Sequence, residues 1–167
     1  MKVSEALASR VSVRAFLDKP VPEATIRAIL EGAARSPSGG NLQPWHVWVL
    51  TGPRLAEFKA LVQRRMAEQP SGEPTEYQIY PPDLKDPYRS RRFKCGEDLY
   101  KTISIGRDNK AGRLAQLAKN YQFFGAPVAM FFAIDRIMQP GQWADLGMYM
   151  QSIMLLAREH GLHTCPQ

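Results

Sequence analysis

The sequence predicts a single domain dominated by helices, with two short buried strands set among them. Three observations carry that expectation. Apolar residues recur at helical spacing after Pro22, at Ile26, Ile29, Leu30 and Ala33. Two apolar, β-rich runs, 46–50 and 128–134, begin just after Pro44 and Pro127 and read as buried strands. Residues 143–160 form a long helical stretch that is apolar on nearly every side.

The elements follow in order. A short first helix precedes Arg10. Pro22 and Glu23 suit the first turn of the next helix, which ends near Arg35, before Pro37. Thr51-Gly52-Pro53 turns the chain from the first strand into a helix over 54–68. From 69 to 94 the pattern breaks, because Pro70, Gly72, Pro74, Pro81, Pro82 and Pro87 disfavour regular structure. An irregular segment of that length inside a compact domain reads as a functional lid or a mobile loop. A helical pattern resumes near Glu97 and again over 107–121. In the last helix Met148, Tyr149, Met150, Ile153, Met154, Leu155, Leu156 and Ala157 call for burial on most faces, with a second subunit as one source of cover. Gly161 supplies its left-handed cap.

Composition sets the outer limits. With 167 residues and 44% hydrophobic content, one domain, 1–167, can bury a real core. No apolar run is long enough to span a bilayer, and the first residues lack the apolar centre of a signal peptide, so no membrane partner and a cytoplasmic location are expected. Cys95 and Cys165 show no ligand spacing, which argues against a metal site and a disulfide framework. Much of the net charge of +6 sits in Arg89, Arg91, Arg92 and Lys94, beside Tyr88 and Phe93. Such a cluster reads as a single-strand platform, a solvated loop or a patch for small anions. No nucleic-acid fold signature accompanies it, so nucleic acid is not expected.

Two segments carry the chemistry. In an extended backbone Arg10, Ser12 and Arg14 project to one face, with Val11 and Val13 turned inward. Two guanidinium forks and a hydroxyl on one face suit a phosphate group, although a solvated basic turn fits the same residues. Ser36-Pro37-Ser38-Gly39-Gly40-Asn41-Leu42-Gln43-Pro44-Trp45 joins the first long helix to the first strand. Its glycines permit close backbone approach, and Asn41 and Gln43 offer amide donors and acceptors. A flat heterocycle fits this loop; so does an ordinary helix-to-strand connection.

Together these segments resemble the flavin-dependent nitroreductase family. Arg10-x-Ser12-x-Arg14 and the Ser36-to-Trp45 loop carry the resemblance. So do Asn120-Tyr-Gln-Phe-Phe-Gly-Ala-Pro127, Trp143-Ala-Asp-Leu-Gly147 and Gly161-Leu-His-Thr-Cys-Pro166, in order over nearly the whole chain. The resemblance implies an α+β fold with a central mixed or antiparallel sheet flanked by helices, in an intertwined homodimer with FMN at the interface. It assigns Arg10, Ser12 and Arg14 to the FMN phosphate and ribityl chain. Pro37, Ser38, Gly39 and Asn41 then approach the flavin from the partner subunit, Asn120 is a further contact, and Pro166 and Gln167 begin the wall beside the ring.

The implied activity is NAD(P)H-dependent, ping-pong reduction of nitroaromatic or similar electron-poor acceptors through the flavin, with no catalytic side chain required. His46, His160 and His163 read as structural. The resemblance also places a C-terminal strand and tail beyond Gln167, so the C-terminal portion is expected to be absent here. The competing readings are a truncated, non-catalytic dimeric or ligand-binding remnant, and a relative performing dehalogenation or flavin breakdown. Tyr77, Tyr80, Tyr88 and Arg92 mark the 69–94 segment as the substrate side, suited to an anionic aromatic acceptor.

Overall fold

The computed structural model describes residues 1–70 and 72–167. The chain divides into two compact units, Met1–Phe58 with Phe123–Gln167, and Lys59–Gln122, where the sequence suggests one domain. The elements are α1 (Val3–Ser9), α2 (Glu23–Ala33), β1 (His46–Thr51), α3 (Gly52–Glu68), α4 (Tyr88–Thr102), α5 (Lys110–Ala118), β2 (Val128–Ala133) and α6 (Pro140–Glu159). Among the described residues no helix is long and apolar enough to cross a membrane.

In the first unit β1 and β2 pair antiparallel, with His46 opposite Ala133 and Thr51 opposite Val128. Period-two alternation turns Val47 and Val49 inward and leaves His46 and Trp48 exposed. Two helices share the core behind this sheet. Ile29 and Ala33 of α2 meet Tyr149, Ile153 and Ala157 of α6, with Val47, Met130 and Phe132 packed against them. The α2 residues recur at i and i+4 and those of α6 at i, i+4 and i+8, so each helix presents one narrow stripe. A side chain at Gly32 would bring its Cβ within 3.0 Å of Leu156 Cδ1, so glycine lets α2 and α6 close on each other.

Helix α6 is buried or half-buried at every residue from 150 to 158. Its fully buried stripe is Asp145, Tyr149, Ile153 and Ala157, while Trp143 and Met148 keep 48% and 40% of their surface exposed. Helices α1 and α2 both pack against this helix. Its end follows the sequence. Gly161 takes φ +70, its N–H bonds Arg158 O at 3.0 Å, and the Leu162 N–H bonds Ala157 O at 2.8 Å. These are the paired bonds of a Schellman cap.

In the second unit helix α4 begins at Tyr88, so the irregular stretch ends at Pro87 rather than at 94. The prolines stop at 87, and Asp86 accepts the Ser90 N–H at 3.1 Å, which satisfies an otherwise open donor of the first turn. Ser71, part of the expected loop, lies outside the described residues. Helix α5 ends at Ala118 rather than at 121, and 119–125 continue as a tight 3-10 turn. Helices α4 and α5 are joined by a two-pronged ion pair: Arg113 donates to Glu97 Oε1 at 2.8 Å and Oε2 at 3.1 Å.

Two outcomes follow from this packing. Ile153→Ala should lower the unfolding free energy by about 2–5 kcal/mol, read from urea denaturation, because the site is walled by two helices and cannot collapse freely. The Arg113 hydrogen bonds hold the Glu97 carboxyl below its ordinary value of 4.5. A lowered carboxylate stabilises the fold fully above pH 4.5 and loses that contribution as pH falls through the lower folded value. Glu97→Gln should therefore flatten the acid limb of the stability curve and leave its neutral shape unaltered, as followed by denaturant midpoint against pH.

Candidate functional site

The 36–45 loop is fixed to α6 at three places. Ser36 Oγ lies 2.7 Å from Ser152 Oγ, and the Ser152 hydroxyl also donates to Met148 O at 2.9 Å. The Gly39 N–H donates to Asp145 Oδ2 at 3.1 Å. Trp45 stacks on Tyr149 with ring centroids 4.5 Å apart and planes within 8°. Asp145, Tyr149 and Ser152 stand at i, i+4 and i+7, one face of the helix, so a single straight helix registers the whole loop. Burial pushes the Tyr149 hydroxyl up from its ordinary pKa.

Within that clamp the backbone is unusual. Gly40, Asn41 and Gln43 take φ of 59, 56 and 47. Glycine and asparagine visit this left-handed region readily, whereas Gln43 is held there by its N–H bond to Ser38 Oγ at 2.9 Å. Ser36, Ser38 and Trp45 are half-buried, and Pro37, Gly39, Gly40 and Asn41 are exposed, leaving a fixed backbone edge open to a ligand.

The second strip begins where α1 ends. Arg10 caps α1 in extended conformation, and its N–H bonds Ala6 O at 3.0 Å. Ser12 forms a parallel bridge with Thr164, and the Val13 N–H bonds Thr164 O at 3.1 Å. Arg158 secures the pairing from α6: it donates to Ser9 Oγ at 3.2 Å and to Leu162 O at 2.8 Å. Arg10, Ser12 and Arg14 are all half-buried. Val11 does not turn inward as expected; it stays 53% exposed, because only Ser12 pairs and a lone bridge imposes no sustained alternation.

Behind Arg14 lies a strained turn. Phe123, Phe124 and Gly125 are successively left-handed, with φ of 53, 51 and 81. The two phenylalanines, non-glycine residues in this region, each cost about 1–3 kcal/mol. The Phe123 ring packs with Phe58 and Phe131, with centroids 6.0 and 5.9 Å away, and Phe124 is buried with its O accepting the Phe16 N–H at 3.1 Å. The Arg14 guanidinium carbon stands 5.9 Å from the Phe124 ring centre, and its Nη1 donates to Ser12 O at 3.4 Å. Among the described residues neither Arg10 nor Arg14 has a carboxylate partner. Among the described residues Thr164 Oγ1, too, is buried without a hydrogen-bond partner. Two half-buried cations and an unsatisfied hydroxyl on adjoining strands make a donor set for an anion.

The profile of the nitroreductase family matches residues 7–167. The chain belongs to the nitroreductase family. A 4-nitrobenzoate reductase of Pseudomonas putida is 40% identical over 161 residues, covering 96% of this chain and 70% of that protein. The crystal structure of an FMN- and NADPH-dependent nitroreductase, NfnB from sphigopyxis sp. strain HMH, superposes with a TM-score of 0.96 at 54% identity, over 100% of this chain and 75% of that one. FMN-dependent NfnB from Mycobacterium smegmatis, in complex with NADPH, gives 0.91 at 30% identity, over 99% of this chain and 74% of that one. The chain spans 65 to 73% of the length of the curated relatives that it matches almost throughout.

The α+β fold expected of a nitroreductase is present, with the two-stranded antiparallel sheet β1–β2 and helices packed on it. Arg10, Ser12 and Arg14 lie on one strip, and Pro37, Ser38, Gly39 and Asn41 on the clamped loop, all in the first unit. Pro166 and Gln167 follow Thr164 and are exposed, Gln167 donating to Pro166 O at 2.9 Å. Asn120 belongs to the second unit and spends its side-chain amide on Leu117 O at 2.7 Å. Two nitroreductase residues escaped the sequence reading of the site. Asp145 sat inside the recognised Trp143-to-Gly147 motif without a role, and Thr164 inside the Gly161-to-Pro166 motif. A lone acid at the start of an apolar helix was the available signal for Asp145, since a buried carboxylate needs a donor.

Asp145→Ala leaves the Gly39 N–H without its acceptor. It should cost about 1–3 kcal/mol in thermal unfolding and speed hydrogen exchange at the Gly39 amide about tenfold or more, since 1.4 kcal/mol is a factor of ten. Asp145→Asn, which keeps an oxygen there, should lose less on both measures.

Proposed function

We propose that this nitroreductase is an FMN-dependent NAD(P)H oxidoreductase that reduces nitroaromatic or similarly electron-poor acceptors in two successive half-reactions. The observation that carries the reading is the pair of half-buried arginines, Arg10 and Arg14, without carboxylate partners beside the unsatisfied hydroxyl of Thr164. FMN has the phosphate that such a set lacks, and the residues present fit it. Bound there, FMN would take a hydride from NAD(P)H and pass electrons on to a nitro group.

The chain's own residues supply the binding. Arg10 and Arg14 hold the phosphate through charge-assisted hydrogen bonds, with the Ser12 and Thr164 hydroxyls completing the set. The loop of Pro37, Ser38, Gly39 and Asn41, immobilised by Asp145, offers backbone and amide groups to the polar edge of the flavin without an ordering cost at binding. Pro166 and Gln167 begin the wall beside the ring. We further propose a homodimer, in which exposed Trp143 and Met148 of α6 give the second copy an apolar surface to cover. The need for NAD(P)H is in keeping with a cytoplasmic setting.

The test is a visible spectrum of protein incubated with FMN and gel-filtered. The expected protein is yellow, bleaches with NADPH without oxygen and regains its colour with 4-nitrobenzoate. Arg14→Ala should weaken FMN binding about tenfold to a hundredfold, as loss of one charged hydrogen bond costs about 1.5–3 kcal/mol. A folded protein that stays colourless overturns the reading.

A further inference from the structure

The turn that joins α4 to α5 in the second unit departs from the rule that ends α6. Helix α4 closes with the same Schellman pair: the Ser104 N–H bonds Lys101 O at 3.1 Å and the Ile105 N–H bonds Tyr100 O at 2.9 Å. The left-handed position of this cap is glycine after α6, but here it is Ser104, at φ +57. A serine is strained in that region and a glycine is not. Strain upheld at one non-glycine residue points to a use for its side chain.

Other observations converge on the same turn. Ser104 borders a cavity of about 280 Å³ with Glu97, Lys101, Gly106, Arg107 and Arg113, all within the second unit. Arg113 is fully engaged there. Its two Nη atoms grip Glu97 and its Nε donates to Gly106 O at 3.3 Å, which pins the turn to both helices. Lys101 and Arg107 are not matched in this way: among the described residues neither stands in an ion pair. The Arg107 guanidinium carbon lies 5.2 Å from the Phe93 ring centre, a contact that orients the cation and gives its N–H groups no acceptor. The Ser104 hydroxyl has no hydrogen-bond partner among the described residues.

The chemistry of the wall narrows the ligand. Three cations against one carboxylate leave it two charges in excess. A phosphate group carries about −1.5 to −2 at pH 7 and matches that excess, whereas one carboxylate leaves half of it unmatched. A lysine ammonium binds phosphate as a point charge, and a hydroxyl adds a donor to a further oxygen. The volume falls just below the usual range of small-molecule sites, about 300–1,000 Å³, so it admits a small group rather than a whole ring system. We propose that this cavity binds a phosphate group, free or at the end of a phosphate monoester, with Lys101 and Arg107 supplying charge and the Ser104 hydroxyl a hydrogen bond. The site shares no residue with the strip of Arg10 and Arg14 and does not depend on the reductase reading.

Because Arg10 and Arg14 are themselves expected to take phosphate, the readout is local. The backbone amide shift of Gly106 is followed by NMR while inorganic phosphate, and separately methyl phosphate, is added to the full chain. A saturating shift is expected. Lys101→Ala and Arg107→Ala should each weaken that binding about tenfold to a hundredfold, the worth of one charged hydrogen bond. Arg14→Ala and Arg64→Ala, which remove the same charge elsewhere, should leave it unchanged. Ser104→Gly should weaken phosphate binding without lowering the urea midpoint, because glycine relieves the strained φ. A response to both probes upholds the site as one for a phosphate monoester, and a response to inorganic phosphate alone upholds it as one for the free ion. The absence of a saturating shift at Gly106 overturns the proposal, as does a Ser104→Gly variant that binds phosphate like the wild type. Equal weakening by Arg64→Ala also overturns it, since that marks general attraction to a basic surface.

Discussion

The bond from the Gly39 N–H to the buried carboxylate of Asp145 is the constraint on which the first unit's site depends. A charged acceptor 6% exposed must find donors inside the protein, and the backbone of the glycine loop supplies one. Once that contact forms, the loop cannot wander, and Trp45 falls onto Tyr149 on the same helix face. The helix thus acts as a ruler. Positions 145, 149 and 152 set where residues 39, 45 and 36 must sit, and the left-handed backbone at Gly40 and Asn41 follows from reaching all three.

The second strip depends on a different kind of fixation. Arg158 and the Schellman cap at Gly161 fold the chain back after α6, so that Thr164 meets Ser12 in a single bridge. Strain at Phe123 and Phe124 is held by the packing of their own rings, and it places an aromatic face beneath Arg14. Among the described residues these devices hold a Thr164 hydroxyl without a hydrogen-bond partner and an Arg14 without a carboxylate partner.

Charge in the second unit is only partly matched. Glu97 with Arg113, Asp98 with Lys94 and Asp86 with Arg89 are matched within and between helices. Composition gives the total excess, but only pairing reveals which cations are matched: among the described residues Arg64, Lys101 and Arg107, like Arg91 and Arg92, stand in none of these ion pairs.

Much of this was legible in the residues. Helical spacing found the buried stripe of α2, alternation and flanking prolines found β1 and β2, and Gly161 marked the cap, because each depends on neighbours within one or two turns. The ordered motifs specified the family, since Arg10, the Ser36-to-Trp45 loop and Trp143 recur together. Other features were not legible. The outward turn of Val11, the early start of α4, the role of Asp145 and the unsatisfied Thr164 hydroxyl depend on partners distant in sequence or on which neighbour lies opposite. Local pattern determined the elements and the chemical inventory of the site. Only tertiary structure decided which polar groups are satisfied internally and which are not, because hydrogen bonds and ion pairs are fixed by proximity in space.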